Sequence, residues 1–269
     1  MLKSESSVVL PAKITEHKKL PMSKERLDKL LSHEGFGSRK DIRKLLRKYE
    51  VLVNGSRTYD PATQIDTEND SIIVDGEEVN LHQHIYLMMN KPQHVVSSNK
   101  DGEHQTVFDL LDDSLRTPYL QDKLHLVGRL DMDTEGLLLF TTDGELTHRL
   151  ISPKNHINKT YLCCLEHPET AEHQSEIADL FAKGIEVGPD DNDPGFLCEP
   201  AQIKWINERT AHLTIYEGKY HQVKRMFIAV GNKIAFLKRI SMGRLELDPE
   251  LKPGEYKELY DSDLEKLNN

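Results

Sequence analysis

The chain has 269 residues, 37% of them hydrophobic, which supports one or two domains with apolar cores of their own. Its apolar runs all fall short of the ~18 residues that cross a bilayer, and Val8-Val9-Leu10 is too brief for a secretory segment, which points away from membrane and exported classes and predicts a cytoplasmic protein. The formal charge of −10 opposes nucleic-acid binding on average, yet residues 24–57 carry ten Lys or Arg against five Asp or Glu, while residues 245–269 carry three against eight.

Residues 1–23 read as a flexible extension. Leu27, Leu30 and Leu31 then fall on one face of a short predicted helix that stops at Gly35. Ser38 is placed to cap a second helix over residues 39–48, with Asp41 at the capping-box position and Ile42, Leu45 and Leu46 as its inner face. Lys40, Arg43, Lys44 and Arg47 recur at spacings of three and four on the outer side, a positive stripe suited to phosphates. Val51-Leu52-Val53 before Asn54-Gly55, and Ile72-Ile73-Val74 before Asp75-Gly76, predict strands that end in tight turns. Residues 80–84 are mostly polar and read as a short linker.

The larger part begins with a predicted buried strand from Ile85 that ends at Asn90-Lys91-Pro92, where proline prevents continuation. Gly128-Arg129-Leu130-Asp131-Met132-Asp133-Thr134-Glu135-Gly136 follows, a charged loop with glycine at both ends running into Leu137-Leu138-Leu139-Phe140. The apolar run reads as a buried strand, so the loop holds a carboxylate, Asp131, at the mouth of a rigid core. Asn158 to Leu165 predicts another strand, with Tyr161 near its start. Residues 217–231 predict a helix announced by Gly218 and ended by Gly231, with Val223, Met226, Phe227 and Val230 inward and His221, Lys224 and Arg225 on another face. Cations at a helix start oppose its dipole, so an anion, carboxylate or phosphate, is expected nearby. Cys163, Cys164 and Cys198 offer neither a disulfide framework nor zinc spacing and read as inert buried side chains.

Gly-Arg-Leu-Asp followed by x-x-Thr-x-Gly-Leu-x-Leu-x-Thr-x-Asp-Gly, filled at every fixed position from Gly128 to Gly144, resembles the signature of the pseudouridine synthases, in the branch that modifies ribosomal RNA behind an S4-like domain. Asn90-Lys91-Pro92, Lys159-Thr160-Tyr161 and Glu217 to Phe227 resemble further marks of that family, and the resemblance runs from about Arg26 to the C-terminus. It implies an α+β chain: an S4-like RNA-binding domain over 24–80, then a catalytic domain over 85–269 with a mixed, mainly antiparallel sheet flanked by helices. It implies Asp131 as the catalytic carboxylate, with Lys224 as the cation paired with it, where the family often has arginine, and Tyr161 as the residue that stacks on the target base and is a candidate base for a sugar proton. Arg225 is the alternative partner, and whichever of the two is left over would meet RNA phosphate, with His221 beside them.

The reaction implied turns uridine into pseudouridine with no metal and no organic cofactor, by breaking the bond from N1 to the sugar and rejoining uracil through C5. Arg129 would fill the space left by the everted nucleotide, or else pair with Asp133 or Glu135. Tyr220-His221 resembles the small-subunit enzymes more than the large-subunit ones, so the expected partner is 16S ribosomal RNA, at a uridine of the 516 type, free or in an assembling small subunit, with the protein a monomer. The alternatives are a 23S ribosomal RNA enzyme of the same family, a non-catalytic assembly factor, and a hydrolase of another glycosidic bond built on Asp131, Asp133 and Glu135.

Overall fold

The computed structural model describes residues 24–34, 36–67, 69–79, 84–116, 120, 123–191 and 193–267. The predicted extension over 1–23, the stop at Gly35 and linker residues 80–83 lie outside the described residues. The described residues form two compact units, 24–79 and 84–267.

In the first unit, β1 (Lys24–Arg26) leads into α1 (Leu27–His33), and α2 (Arg39–Lys48) follows. Ser38 caps α2, its hydroxyl accepting the Asp41 N–H at 3.3 Å and donating to the Asp41 carboxylate at 2.5 Å. β2 (Val51–Val53) and β3 (Ser56–Arg57) form a hairpin, β4 (Gln64–Asp66) pairs with β1, and β5 (Ile72–Val74) and β6 (Glu77–Val79) complete a sheet of order β3-β2-β5-β6. Asn54 (φ 50°) and Gly55 (φ 75°) make the hairpin turn, as their sequence demands. Leu27, Leu30, Leu31, Ile42, Leu46, Val51, Ile65 and Ile72 are fully buried. Lys40, Arg43, Lys44 and Arg47 are all exposed on α2, and only Lys44 has a carboxylate partner, Asp41 at 3.4 Å, among the described residues.

The second unit is a nine-stranded sheet covered on both faces. In chain order its elements are β7 (Tyr86–Lys91), β8 (His125–Leu126), β9 (Thr134–Thr141), α3 (Gly144–Ile151), β10 (Lys159–Leu165) and α4 (Ala171–Lys183). After these come the short pair β11 (Glu186–Val187) and β12 (Phe196–Leu197), then β13 (Gln202–Trp205), β14 (Thr210–Ile215) and α5 (Gln222–Ala229). β15 (Ile234–Met242), β16 (Leu245–Glu246), β17 (Tyr256–Glu258) and α6 (Asp261–Leu264) close the chain. The sheet order is β13-β14-β10-β15-β9-β7-β17, with β8 on β9 and β16 on β15. Its described pairs are antiparallel except β9 with β15, which run parallel.

Leu137 to Phe140 of β9 form a continuous apolar run because the strand has a covered face on each side. Leu138 and Phe140 join Tyr161, Leu213 and Leu237 beneath α4 and α5, while Leu137 and Leu139 join Leu146 and Leu150 of α3 on the other face. Gly136 is not part of the preceding loop, as its place in the sequence suggested; it lies inside β9, opposite Arg239 of β15, where a Cβ would come within 2.2 Å of the Arg239 carbonyl oxygen. The predicted helix over 217–231 is also shorter. It starts at Gln222, because His221 adopts a left-handed conformation (φ 48°) that ends the preceding turn. Cys163 and Cys198 are buried and Cys164 is half-buried; burial pushes the Cys198 thiol up to about 11.

Candidate active site

The loop from Gly128 to Asp133 joins β8 to β9, and its main chain is fastened from several directions. Lys91, fully buried at the end of β7, donates its ammonium to the carbonyls of Met132 (3.3 Å), Thr134 (3.0 Å) and Pro92 (2.9 Å). His94 N–H reaches the Met132 carbonyl at 2.8 Å, Gln93 the Asp133 carbonyl at 3.0 Å, and the Ser97 hydroxyl the Leu130 carbonyl at 2.7 Å. Burial draws the Lys91 pKa down to about 8, against the opposing pull of Asp131, Asp133 and Glu135. In the sequence Asn90-Lys91-Pro92 marks a strand end and resembles a family motif; a lysine placed just before a strand-ending proline gives no sign that it ties down a loop about 40 residues away.

Asp131 projects from this loop with its side chain 31% exposed, and Lys224, in the first turn of α5, donates to its Oδ2 at 2.9 Å. The same ammonium reaches Asp133 Oδ1 at 2.6 Å. Burial works against the Lys224 charge, but the two carboxylates outweigh it and raise its pKa above the usual lysine value. Asp133 is held below the usual carboxylate range, since Lys224 outweighs its partial burial. The anion expected beside the cations of α5 is therefore this carboxylate pair.

His221 stands on the same side, with Nε2 3.8 Å from Asp131 Oδ2 and Nδ1 2.7 Å from Asp190 Oδ2, its ring stacked on Tyr220. A cleft of about 380 Å³ opens here, lined by Arg129, Asp131, Tyr161, His221 and Lys224 together with Lys159 and Arg239. Tyr161 is 7% exposed, on β10, and packs into the larger core with its edge on the cleft. Arg129 is exposed and pairs with neither alternative carboxylate: Asp133 is taken by Lys224, and Glu135 lies 3.9 Å from Lys238.

Arg225 is not brought into this group. Its guanidinium is 3% exposed and bonds the carbonyls of Gly188, Pro194 and Tyr220 and the Asp193 carboxylate, 4.5 Å from the Phe196 ring. The expected phosphate contact is therefore unavailable to it. One residue along a helix turns the side chain by about 100°, so Arg225 staples the 188–194 loop to α5 while Lys224 faces the cleft. Lys40, Arg43, Lys44 and Arg47 belong to the other unit and are described with it above.

Comparison with known proteins agrees with this arrangement. The family profile for RNA pseudouridylate synthase matches residues 85–229, and that for the S4 domain matches residues 25–72. The chain is 44% identical over 248 residues to an uncharacterized RNA pseudouridine synthase of Bacillus subtilis, YtzG, covering 90% of this chain and 98% of that one. It is 42% identical to ribosomal small subunit pseudouridine synthase A of Vibrio cholerae, covering 89% of this chain and 97% of that one. A crystal structure of a pseudouridylate synthase superposes with a TM-score of 0.59 at 38% identity, covering 90% of this chain and 99% of that one. With a signature loop that carries Asp131 into the cleft and profile matches across both units, the chain belongs to the RNA pseudouridine synthase family, with an S4 domain ahead of the synthase domain.

Proposed function

We propose that this protein isomerises one uridine of 16S ribosomal RNA to pseudouridine, at a position of the uridine 516 type, with Asp131 as the catalytic carboxylate. The observation that carries the reading is the fixed Asp131–Lys224 pair in an open cleft that also holds Tyr161. Relatives of 42% and 39% identity, from Vibrio cholerae and Escherichia coli, bear the name ribosomal small subunit pseudouridine synthase A, which supports the small subunit over the large. The protein acts in the cytoplasm as a monomer, on free 16S RNA or an assembling small subunit.

In this reading the target nucleotide leaves its stack and enters the cleft, Tyr161 packs on the uracil, and the Asp131 carboxylate meets the sugar. Lys224, whose ammonium donates to Asp131 Oδ2 at 2.9 Å, holds that carboxylate in place. An ionised carboxylate beside a sugar carbon can attack it or stabilise charge developing there. Arg129, exposed at the rim and without a carboxylate partner among the described residues, occupies the vacated stack. Purified protein incubated with a 16S transcript is expected to leave a single pseudouridine, mapped by a pseudouridine-specific chemical probe. Absence of pseudouridine from both the free transcript and a partly assembled small subunit, or release of free uracil, refutes the reading.

The stripe on α2 is assigned to sequence-independent phosphate contacts. Replacing both Arg43 and Arg47 by Gln is expected to weaken RNA binding about tenfold and to reduce the slope of log affinity against log salt by about 1.5, since each phosphate contact contributes about 0.7–0.9. Single-turnover rate at saturating protein should be unchanged. A rate loss at saturation would mean that the stripe does more than bind.

A further inference from the structure

Two cations on the cleft floor have no task in the reaction as described. Lys159 and Arg239 both line the cleft, and neither has a carboxylate partner among the described residues. Arg239 is 2% exposed; its Nε donates to the Leu137 carbonyl at 2.8 Å, and its Nη2 is buried with no hydrogen-bond partner. The hydroxyl of Thr134, three residues after Asp131 and also on the cleft wall, is buried and unpartnered as well. Lys159 donates to the Ile157 carbonyl at 3.0 Å, and burial, reinforced by the neighbouring Arg239 charge, brings its pKa down to about 8. A charged donor shut away from water and left unpaired is among the costliest groups a fold can carry, and two orphaned polar groups in one cleft point to a ligand that satisfies them.

Strand pairing says where on the floor the guanidinium lies. Arg239 of β15 is opposite Tyr161 of β10 on one side and Gly136 of β9 on the other, so its side chain leaves the same sheet face as Tyr161, next to a residue that has no side chain to compete for the space. A nucleotide within an RNA chain keeps its phosphates at the rim, because the chain continues in both directions. Only the base reaches the floor, beside the tyrosine.

We propose that the Arg239 guanidinium binds the carbonyl edge of the everted uracil and stabilises the negative charge that uracil carries once its glycosidic bond opens. This rests on the function proposed above. When the N1–C1′ bond breaks, the electron pair stays with uracil, and the charge spreads over N1, O2 and O4. The base then turns, C5 bonds to C1′, the C5 proton leaves and N1 takes up a proton from water, so atoms and electrons balance with no redox partner. Direct attack by Asp131 and elimination from the sugar both pass through this anion. A donor on O2 or O4 binds the charged base more tightly than neutral uridine, which lowers the barrier instead of merely tightening substrate binding.

The test compares wild type, Arg239→Gln and Arg239→Lys on 16S transcripts made with uridine, 2-thiouridine or 4-thiouridine, sulfur being the poorer acceptor. Arg239→Gln is expected to lower kcat about a hundredfold with KM within about threefold, and Arg239→Lys to recover part of the rate. One of the two sulfur substitutions should slow wild type but cost Arg239→Gln nothing further, the mark of a direct contact. Should Arg239→Gln fail to fold, Arg239→Lys carries the same comparison, with a reduced sulfur effect expected. An unchanged kcat, equal sulfur effects in wild type and variant, or a loss confined to binding with a shallower salt slope would overturn the inference, the last by assigning Arg239 to a phosphate. If wild type itself makes no pseudouridine from the uridine transcript, free or assembled with small-subunit proteins, the proposed function fails instead.

Discussion

Asp131→Asn is expected to abolish pseudouridine formation, by at least about a thousandfold in single-turnover rate, which corresponds to about 4 kcal/mol of barrier. The substitution removes the charge at nearly constant volume. It also leaves the surroundings standing: Lys224 keeps Asp133 at 2.6 Å, and the loop main chain remains bonded to Lys91, His94, Gln93 and Ser97. Folding and RNA affinity should therefore change little, because the Asp131 carboxylate is itself a third exposed and contributes one shared ion pair. Thermal melting, a filter-binding titration and a rate measurement on the same preparation separate the three quantities. Turnover within tenfold of wild type would remove Asp131 from the chemistry, and a collapse of the melting transition would make it structural.

The largest loss of stability is expected at Gly136. An alanine there would set its Cβ 2.2 Å from the Arg239 carbonyl oxygen and 2.7 Å from its nitrogen, both backbone atoms that cannot swing aside, at a φ of 107° that side chains rarely adopt. Overpacking and backbone strain each cost about 1–3 kcal/mol, so Gly136→Ala should cost about 3–5 kcal/mol. Gly128→Ala is the control. It has positive φ as well (73°), but its Cβ would meet only the Ile151 side chain, at 3.9 Å, so strain alone remains, about 1–2 kcal/mol. Denaturant titrations of the two variants decide the matter: equal losses would mean that β9 and β15 do not approach as closely as described. Gly136→Ala should also slow product formation, since prying the strands apart displaces both Arg239 and the start of β9, where the Asp131 loop is anchored.

Much of this fold was legible because its signals are local. Ser38, Asn54-Gly55 and Asp75-Gly76 mark a cap and two turns by their own chemistry, and each stands where the sequence put it. Leu137 to Phe140 reads as buried whatever the partners are. The misreadings arose where a partner distant in sequence decides. Gly136 looked like the end of a loop, yet it is needed for the close approach of β15, which no local pattern announces. β15 itself was not predicted: Lys238 and Arg239 interrupt its apolar residues, and their charges suggest a surface segment, although Arg239 is almost fully buried. Arg225 deceives in the same way, because its burial depends on the 188–194 loop folding across it. His221 delays the start of the predicted helix through a left-handed backbone that asparagine or glycine would have advertised and histidine conceals.

The parallel pairing of β9 with β15 also governs when the molecule becomes competent. β9 emerges from the ribosome at residues 134–141, but the neighbour that closes it arrives only at 234–242. Until then one edge of the central sheet stands open and the guanidinium at the back of the cavity is missing, so the growing polypeptide carries Asp131 long before it can hold a nucleotide around it. The buried cluster of the S4 domain, by contrast, is drawn from residues 27–79 and is complete in sequence before β9 is made. The cleft around Asp131 is therefore among the last parts of the sheet to be completed.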